Sequence, residues 1–204
     1  MSLLPETETL LALSGEDQDL LFRGARTANT FEPIPITDDQ LVAIYDLVKW
    51  GPTSGNAQPM RITAIRADEG KRRLVPLLNE PNRNKTMSAP LVVILSADLE
   101  FHEHMNRLLP YLENARERFS DPVSRRRIAE FNATLQIGYF IIGVRAAGLA
   151  AGPMTGFNAD AVSAEFFPEG DRKALAIVNI GHPGPDAWFG RLPRLDAHEV
   201  IEFL

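Results

Sequence analysis

The sequence predicts an α+β domain, and three features carry that prediction. Leu91–Leu95 is apolar at consecutive positions, the pattern of a strand covered on both faces and therefore central in a sheet. Arg125–Leu149 is the longest helical segment, about 25 residues, and is apolar nearly all round from Leu135 onward, so it lies inside the domain or under a second subunit. The strands are separated by helices of unequal length, which suits α+β better than a regular alternation of strand and crossover helix.

The other elements follow in chain order. Residues 1–7 read as loose, and Leu10, Leu11, Leu13, Leu20, Leu21 and Phe22 predict a two-part first helix ending near Arg26. Phe31–Ile36 contains Pro33 and Pro35 and reads as an extended connection. Thr37, with Gln40 three residues on, forms a capping box that opens a helix; Leu41, Ile44, Tyr45 and Val48 form its apolar face, and Gly51-Pro52 stops it. Met60–Ala67 reads as a strand, and Glu69–Leu78 as a short helix with Lys71, Arg72 and Arg73 in solvent. Asp98–Pro122 is helical but broken at Pro110, an excursion over the core. Within the long helix Gly138 and Gly143 permit close backbone approach. Ala174–Ile180 is the last strand; a turn-rich His182–Pro185 and a helical or exchanged C-terminal arm complete the chain.

Size and composition bound the function. A chain of 204 residues forms one domain. It has no cysteine, which excludes disulfides, thiolate metal sites, a cysteine nucleophile and a redox dithiol. Lys and Arg number 21 against 27 Asp and Glu, so the net charge of −6 argues against a nucleic-acid partner while leaving local basic clusters free to bind small anions. Glu6 and Glu8 precede the first basic residue, Arg23, and Leu10–Leu13 is too short for a secretory core; the expectation is a cytoplasmic protein. The most apolar stretch, Phe131–Val144, is interrupted by Asn132, Thr134 and Gln136, so no membrane span is expected.

Familiar motifs are few. There is no phosphate-binding G-x-x-x-x-G-K-[ST] loop and no dinucleotide G-x-G-x-x-G. Gly51–Gly55 fails as a nucleophile elbow, because Ser54 stands one place late and follows a helix. His102-Glu103-His104 lacks metal spacing on a helix and reads as a solvated face, so no metal site is expected. Four other segments carry chemistry. Arg26 with Thr27 and Asn29 can hold a phosphate, a guanidinium binding two oxygens while hydroxyl and backbone donors complete the shell. Pro52–Pro59, with Thr53, Ser54 and Asn56, presents hydroxyls and carboxamides between two prolines to a planar polar ligand. Asn82 and Lys85 offer an amide and a cation to one edge of a heteroaromatic ring, and Gly148–Phe157 lets backbone approach a flat ligand. Each alone also fits an ordinary loop or surface arginine; their weight is in their combination.

In this order the segments resemble the nitroreductase family of FMN-dependent oxidoreductases. The matching pieces are Arg26-Thr27-Ala28-Asn29, Pro52–Pro59, Asn82–Lys85, the Leu135–Gly148 helix with Met154-Thr155-Gly156-Phe157, and Arg191-Leu192-Pro193-Arg194-Leu195. They run from about residue 20 to the end. Lys49–Ser54, Gly152–Phe157 and Arg191–Leu195 look most like the malonic semialdehyde reductase branch of pyrimidine catabolism. The resemblance implies one domain over residues 1–204, an α+β sandwich with a mainly antiparallel central sheet flanked by helices, and a homodimer embraced by a domain-swapped C-terminal arm, residues 188–204. It implies FMN at the dimer interface: Arg26 and Arg194, with Arg191, at the phosphate; Asn82 and Lys85 at the pyrimidine edge; Thr53, Ser54 and Asn56 from the other subunit; Thr155 and Gly156 against the ring near N5. Two places depart from the best-known members, Thr155 where an acidic residue precedes the glycine and Met60 where a tryptophan follows Gln-Pro.

The implied reaction is ping-pong hydride transfer from NADH or NADPH through flavin N5 to a small acceptor, malonic semialdehyde going to 3-hydroxypropionate. A broad nitroaromatic or quinone reductase and a non-catalytic flavin-binding protein are the alternatives. No protein acid or base is required, since Lys85 stabilises the charge arriving with the hydride. Residues 98–122, with Phe101, His102, Tyr111 and Phe119, are the candidate lid over the acceptor pocket.

Overall fold

The elements form where local sequence starts and stops them. In the computed structural model, which describes residues 11–204, Ser14 caps a single helical turn, α1 (Gly15–Gln18), by accepting from the Asp17 N–H. That turn runs into a wider π-type turn over Asp19–Arg23. The expected two-part helix therefore ends at Arg23, and Leu10 lies outside the described residues. The Thr37 capping box is formed in both directions and opens α2 (Asp38–Val48), with Ile44 and Val48 buried. There follow β1 (Met60–Ile65), α3 (Asp68–Leu74) with a 3-10 turn at Val75–Leu77, α4 (Glu80–Ser88) and β2 (Leu91–Asp98). The excursion holds a 3-10 turn at Phe101–His104, α5 (Met105–Leu108) and a second 3-10 turn at Glu117–Phe119. Then come α6 (Pro122–Ala146), β3 (Ala150–Met154), α7 (Ala159–Phe166), β4 (Arg172–Gly181) and α8 (Ala197–Val200).

The four strands make one sheet in the order β1-β2-β4-β3, antiparallel throughout. All eight residues of β2 are buried, as its apolar run predicts for an inner strand. Leu91, Val93, Leu95 and Ala97 face the layer containing α2 and α6, while Val92 and Ile94 face Leu74, Leu78 and Val162. A bulge between Leu95 and Ser96 skips Leu175, and the extra residue puts Ala174 on the same face as Ile177 despite their odd spacing.

β3 was hidden in the glycine-rich stretch. It is an edge strand, and there its proline costs nothing: Ala28 N–H donates to Ala151 O at 3.1 Å, so Ala151 points away from β4, and Pro153, two residues on, points the same outward way. A Cβ at Gly152 would lie 2.7 Å from Ala28 O, which is why glycine stands there.

α6 begins three residues before the expected start, with Pro122 in its first turn and the Asp121 carboxylate accepting from Ser124 N–H at 2.7 Å. It meets α2 so closely at Gly143 that a Cβ would come within 2.3 Å of Val48 Cγ1. Gly138 has nothing within 4 Å, so only one of the two helix glycines makes a close approach inside the chain.

Two side chains expected in solvent are buried instead. Lys71 is 6% exposed rather than solvated; its Nζ donates to Ala89 O at 2.6 Å and Met87 O at 3.3 Å, satisfying carbonyls at the end of α4. His102 is buried, not part of a solvated face. The excursion itself contributes Phe101, Met105, Leu109 and Ala115 to the main core, with Phe101 and Phe119 packed edge to face at 5.1 Å. Beyond β4 the C-terminal segment is helical only at α8, and Trp188, Phe189, Leu192, Leu195 and Phe203 are exposed. No helix among the described residues is long and apolar enough to cross a membrane.

Candidate functional site

Arg26, Thr27, Asn29, Arg191 and Arg194 line one cleft of about 240 Å³. The segment before β3's neighbour Phe31 is pinned by Ala28 to Ala151 and by Asn29 N–H to Ala187 O at 3.0 Å. The guanidiniums are oriented by carbonyls: Arg26 Nη1 donates to Phe189 O at 3.1 Å, Arg191 Nη2 to Arg23 O and Ala25 O, and Arg194 Nη1 to Leu192 O and Pro193 O at 3.0 Å. Among the described residues no acidic side chain lines the cleft, so three cations stand together there without counter-charge from its walls. That donor set fits a phosphate monoester. Arg145, in the last turn of α6, adds a fourth positive charge nearby. It donates to Leu20 O at 2.5 and 2.8 Å, and its pKa is lowered by burial and by the Arg191 charge. Sequence reading missed it; the available signal was a lone cation at the end of a buried helix.

A second group gathers where α4 meets the end of β3. Asn82 Nδ2 and Asn79 N–H both donate to Gly156 O at 2.9 Å. A Cβ at Gly156 would lie 2.7 Å from Asn82 Nδ2, so the glycine is required for this contact. Lys85, three residues after Asn82, shares its helix face. Its ammonium makes no hydrogen bond or ion pair with the described residues, and burial lowers its pKa. Beneath, Asn179 Nδ2 donates to Thr86 Oγ1 at 3.3 Å and Thr86 Oγ1 to Met154 Sδ at 3.9 Å, tying α4 to β3 and β4. Asn82 and Gly156 are thus placed together, with Thr155 next to the glycine in the chain and Lys85 one turn beyond Asn82 on α4.

Thr53, Ser54 and Asn56 line neither of these groups. Their loop borders a separate groove of about 320 Å³ with Lys49 and Trp50. It is strained and strongly held: Gly55, Asn56 and Gln58 adopt φ of 57°, 49° and 43°. The Thr53 hydroxyl accepts from Gln58 N–H at 3.2 Å and Asn56 Nδ2 donates to Leu108 O at 3.1 Å. Two α6 carboxamides fasten its ends, Asn132 Oδ1 accepting from Ser54 N–H at 2.7 Å and Gln136 Oε1 from Met60 N–H at 2.9 Å. In the sequence these two were only interruptions of an apolar run; their i, i+4 spacing on a buried face was the signal.

His102 sits between two carboxylates, Nδ1 3.5 Å from Glu100 and Nε2 3.6 Å from Glu103. Each carboxylate is already paired, Glu100 with Arg125 at 3.0 Å and Glu103 with Arg116 at 2.5 Å, so the cluster carries no excess negative charge for a cation.

Comparison with known proteins identifies the family. The profile of the Nitroreductase family matches residues 23–182. A "Putative NADH dehydrogenase/NAD(P)H nitroreductase" of Streptomyces griseus subsp. griseus is 56% identical over 192 residues, 94% of this chain and 97% of the relative. Among solved structures, the Nitroreductase Family Protein of Streptococcus pneumoniae TIGR4 superposes with a TM-score of 0.79 at 17% identity, covering 90% of this chain and 98% of that one. A "putative nitroreductase in complex with FMN" from Exiguobacterium sibiricum 255-15 gives 0.76 at 18%, covering 92% and 96%. The chain belongs to the nitroreductase family.

Proposed function

We propose that this protein is an FMN-dependent NAD(P)H oxidoreductase that works as a homodimer on a small acceptor. The observation that carries the reading is the cleft of Arg26, Arg191 and Arg194, three arginines with no acidic residue in the lining. FMN, when bound, supplies hydride acceptance and donation at N5, so that NADH or NADPH and then the acceptor use it in turn. The three arginines bind the phosphate, with Thr27 and Asn29 beside them. Asn82 and Lys85 address the pyrimidine edge; the uncompensated Lys85 ammonium offsets negative charge there without any reorganisation. Gly156, free of a Cβ, and Thr155 would lie against the flavin ring.

Thr53, Ser54 and Asn56 complete the site from the partner subunit, which accounts for their place on a different groove within one chain. The exposed apolar side chains of residues 188–204, together with Phe131, Leu135 and Tyr139 on α6, supply the surface such a partner covers. The name of the Streptomyces griseus relative and the FMN in the Exiguobacterium sibiricum complex support the same reading.

For the acceptor we propose malonic semialdehyde, reduced to 3-hydroxypropionate, on the resemblance in Lys49–Ser54, Gly152–Phe157 and Arg191–Leu195. A broad nitroaromatic or quinone reductase is the second reading, favoured by the nitroreductase name of the relative. The first test is the visible spectrum of the purified protein before and after anaerobic NADH. Flavin absorbance that bleaches supports the reading; a protein that takes up no FMN defeats it, and bound flavin that neither NADH nor NADPH reduces makes it a non-catalytic binder. The ratio of kcat/KM for malonic semialdehyde and for a nitroaromatic then decides between acceptors.

A further inference from the structure

Another groove lies away from the arginine cleft. About 420 Å³ in volume, it is walled by Tyr45 of α2, Gln58 and Arg61 at the start of β1, and His104, Arg107 and Leu108 of the excursion. No acidic residue lines it. Arg61 is fixed in place, paired with Asp98 and donating from Nη1 to Gln58 O and Met60 O at 3.0 Å, so its own charge is already balanced. Arg107 and His104 are different. Both are exposed, and neither side chain makes a hydrogen bond or ion pair with the described residues. A chain of net charge −6 thus lines one concave space with an uncompensated guanidinium, an imidazole and Tyr45.

We propose that this groove is a second anion site, with Arg107 as its principal ligand, and that it holds the oxyanion group of a substrate. As a substrate subsite it rests on the oxidoreductase reading, because Gln58 lines both this groove and the one containing Thr53 and Asn56. The volume accommodates a small carboxylate-bearing molecule or the phosphate end of a dinucleotide, and not a whole dinucleotide. A carboxylate on the acceptor and the extra phosphate of NADPH present the same chemistry, two or three oxygens to a guanidinium fork.

Isothermal calorimetry with malonate, a dicarboxylate that cannot be reduced, tests the site directly on wild type, Arg107→Ala and Arg194→Ala. The expected result is malonate affinity weakened about tenfold or more by Arg107→Ala, the loss of a charged hydrogen-bond partner, and retained in Arg194→Ala. Unchanged affinity in Arg107→Ala, or loss confined to Arg194→Ala, overturns the proposal, the latter assigning malonate to the first cleft. Steady-state kinetics separates the sources. A fall in the kcat/KM ratio of a carboxylate-bearing aldehyde to an uncharged nitroaromatic places the acceptor's carboxylate here; a fall in the NADPH to NADH ratio places the phosphate here. If malonate binding depends on Arg107 while both ratios stay unchanged in an active enzyme, the groove is no substrate subsite and that part of the proposal fails. A protein that holds no FMN defeats the oxidoreductase reading instead, while the calorimetric result for Arg107 stands on its own.

Discussion

Arg26 illustrates how a single side chain is prepared for a ligand. It is exposed, and its one described hydrogen bond is to a carbonyl, Phe189 O, which orients the guanidinium without neutralising it. A carboxylate partner would have to be displaced before phosphate could bind; a carbonyl leaves the charge available. Arg26→Ala is therefore expected to weaken FMN binding by about 1.5–3 kcal/mol, the range for hydrogen bonds to charged groups, with little change in fold stability. Fluorescence titration of the apoprotein with FMN measures it, and equal affinity in wild type and variant would remove Arg26 from the site. Lys85 follows the same pattern with a different cost. It stays uncompensated while partly buried, so its charged form is disfavoured, and an anionic neighbour raises its pKa again.

At the scale of elements, α6 organises the molecule through residues that look unremarkable in sequence. Gln136 accepts the Met60 N–H in a buried setting, and Gln136→Leu leaves that donor without a partner. The expected loss is about 1–3 kcal/mol of stability, read from urea midpoints, with faster amide exchange at Met60. Gly143 and Gly138 give a contrast within the same helix. Gly143→Ala drives a methyl into Val48 and is expected to cost about 1–3 kcal/mol. Gly138→Ala meets nothing inside the chain, so in an isolated monomer helix propensity alone would stabilise it by about 1 kcal/mol. A destabilising Gly138→Ala, with a shift toward monomer in sedimentation, would locate a partner subunit against that face. These elements also mark what sequence reading can reach. β2 and the Thr37 cap were legible because apolar runs and capping boxes are local. β3 was not, because Gly152 and Pro153 make sense only on an edge beside Ala28, far away in sequence. Lys71 looked like one of three solvated cations until the end of α4 arrived beside it. The site divides the same way: arginines and a polar loop announce themselves by residue type, whereas Arg145, Asn132 and Gln136 act through contacts that the fold creates.

At the scale of the whole molecule, the helical layer is tied to the sheet by charge as well as by the core. Glu130 of α6 accepts from Arg126 Nε at 2.8 Å on its own helix and from Lys173 Nζ at 3.0 Å on β4. Burial alone would raise the Glu130 pKa, but the hydrogen bonds and charges of Arg126 and Lys173 outweigh it and hold the carboxyl below its ordinary 4.5. A group depressed in the folded state binds fewer protons there than in the unfolded chain. Its contribution is therefore complete above about pH 4.5 and is lost as the pH falls through the folded value. Glu130→Gln keeps the shape and removes the titration. The variant is expected to be less stable than wild type at pH 7, and the gap is expected to close as the pH is lowered toward 3. Urea midpoints at both pH values measure this, and a gap that is constant or widens in acid would show that Glu130 joins α6 to β4 by packing and neutral hydrogen bonding rather than by charge.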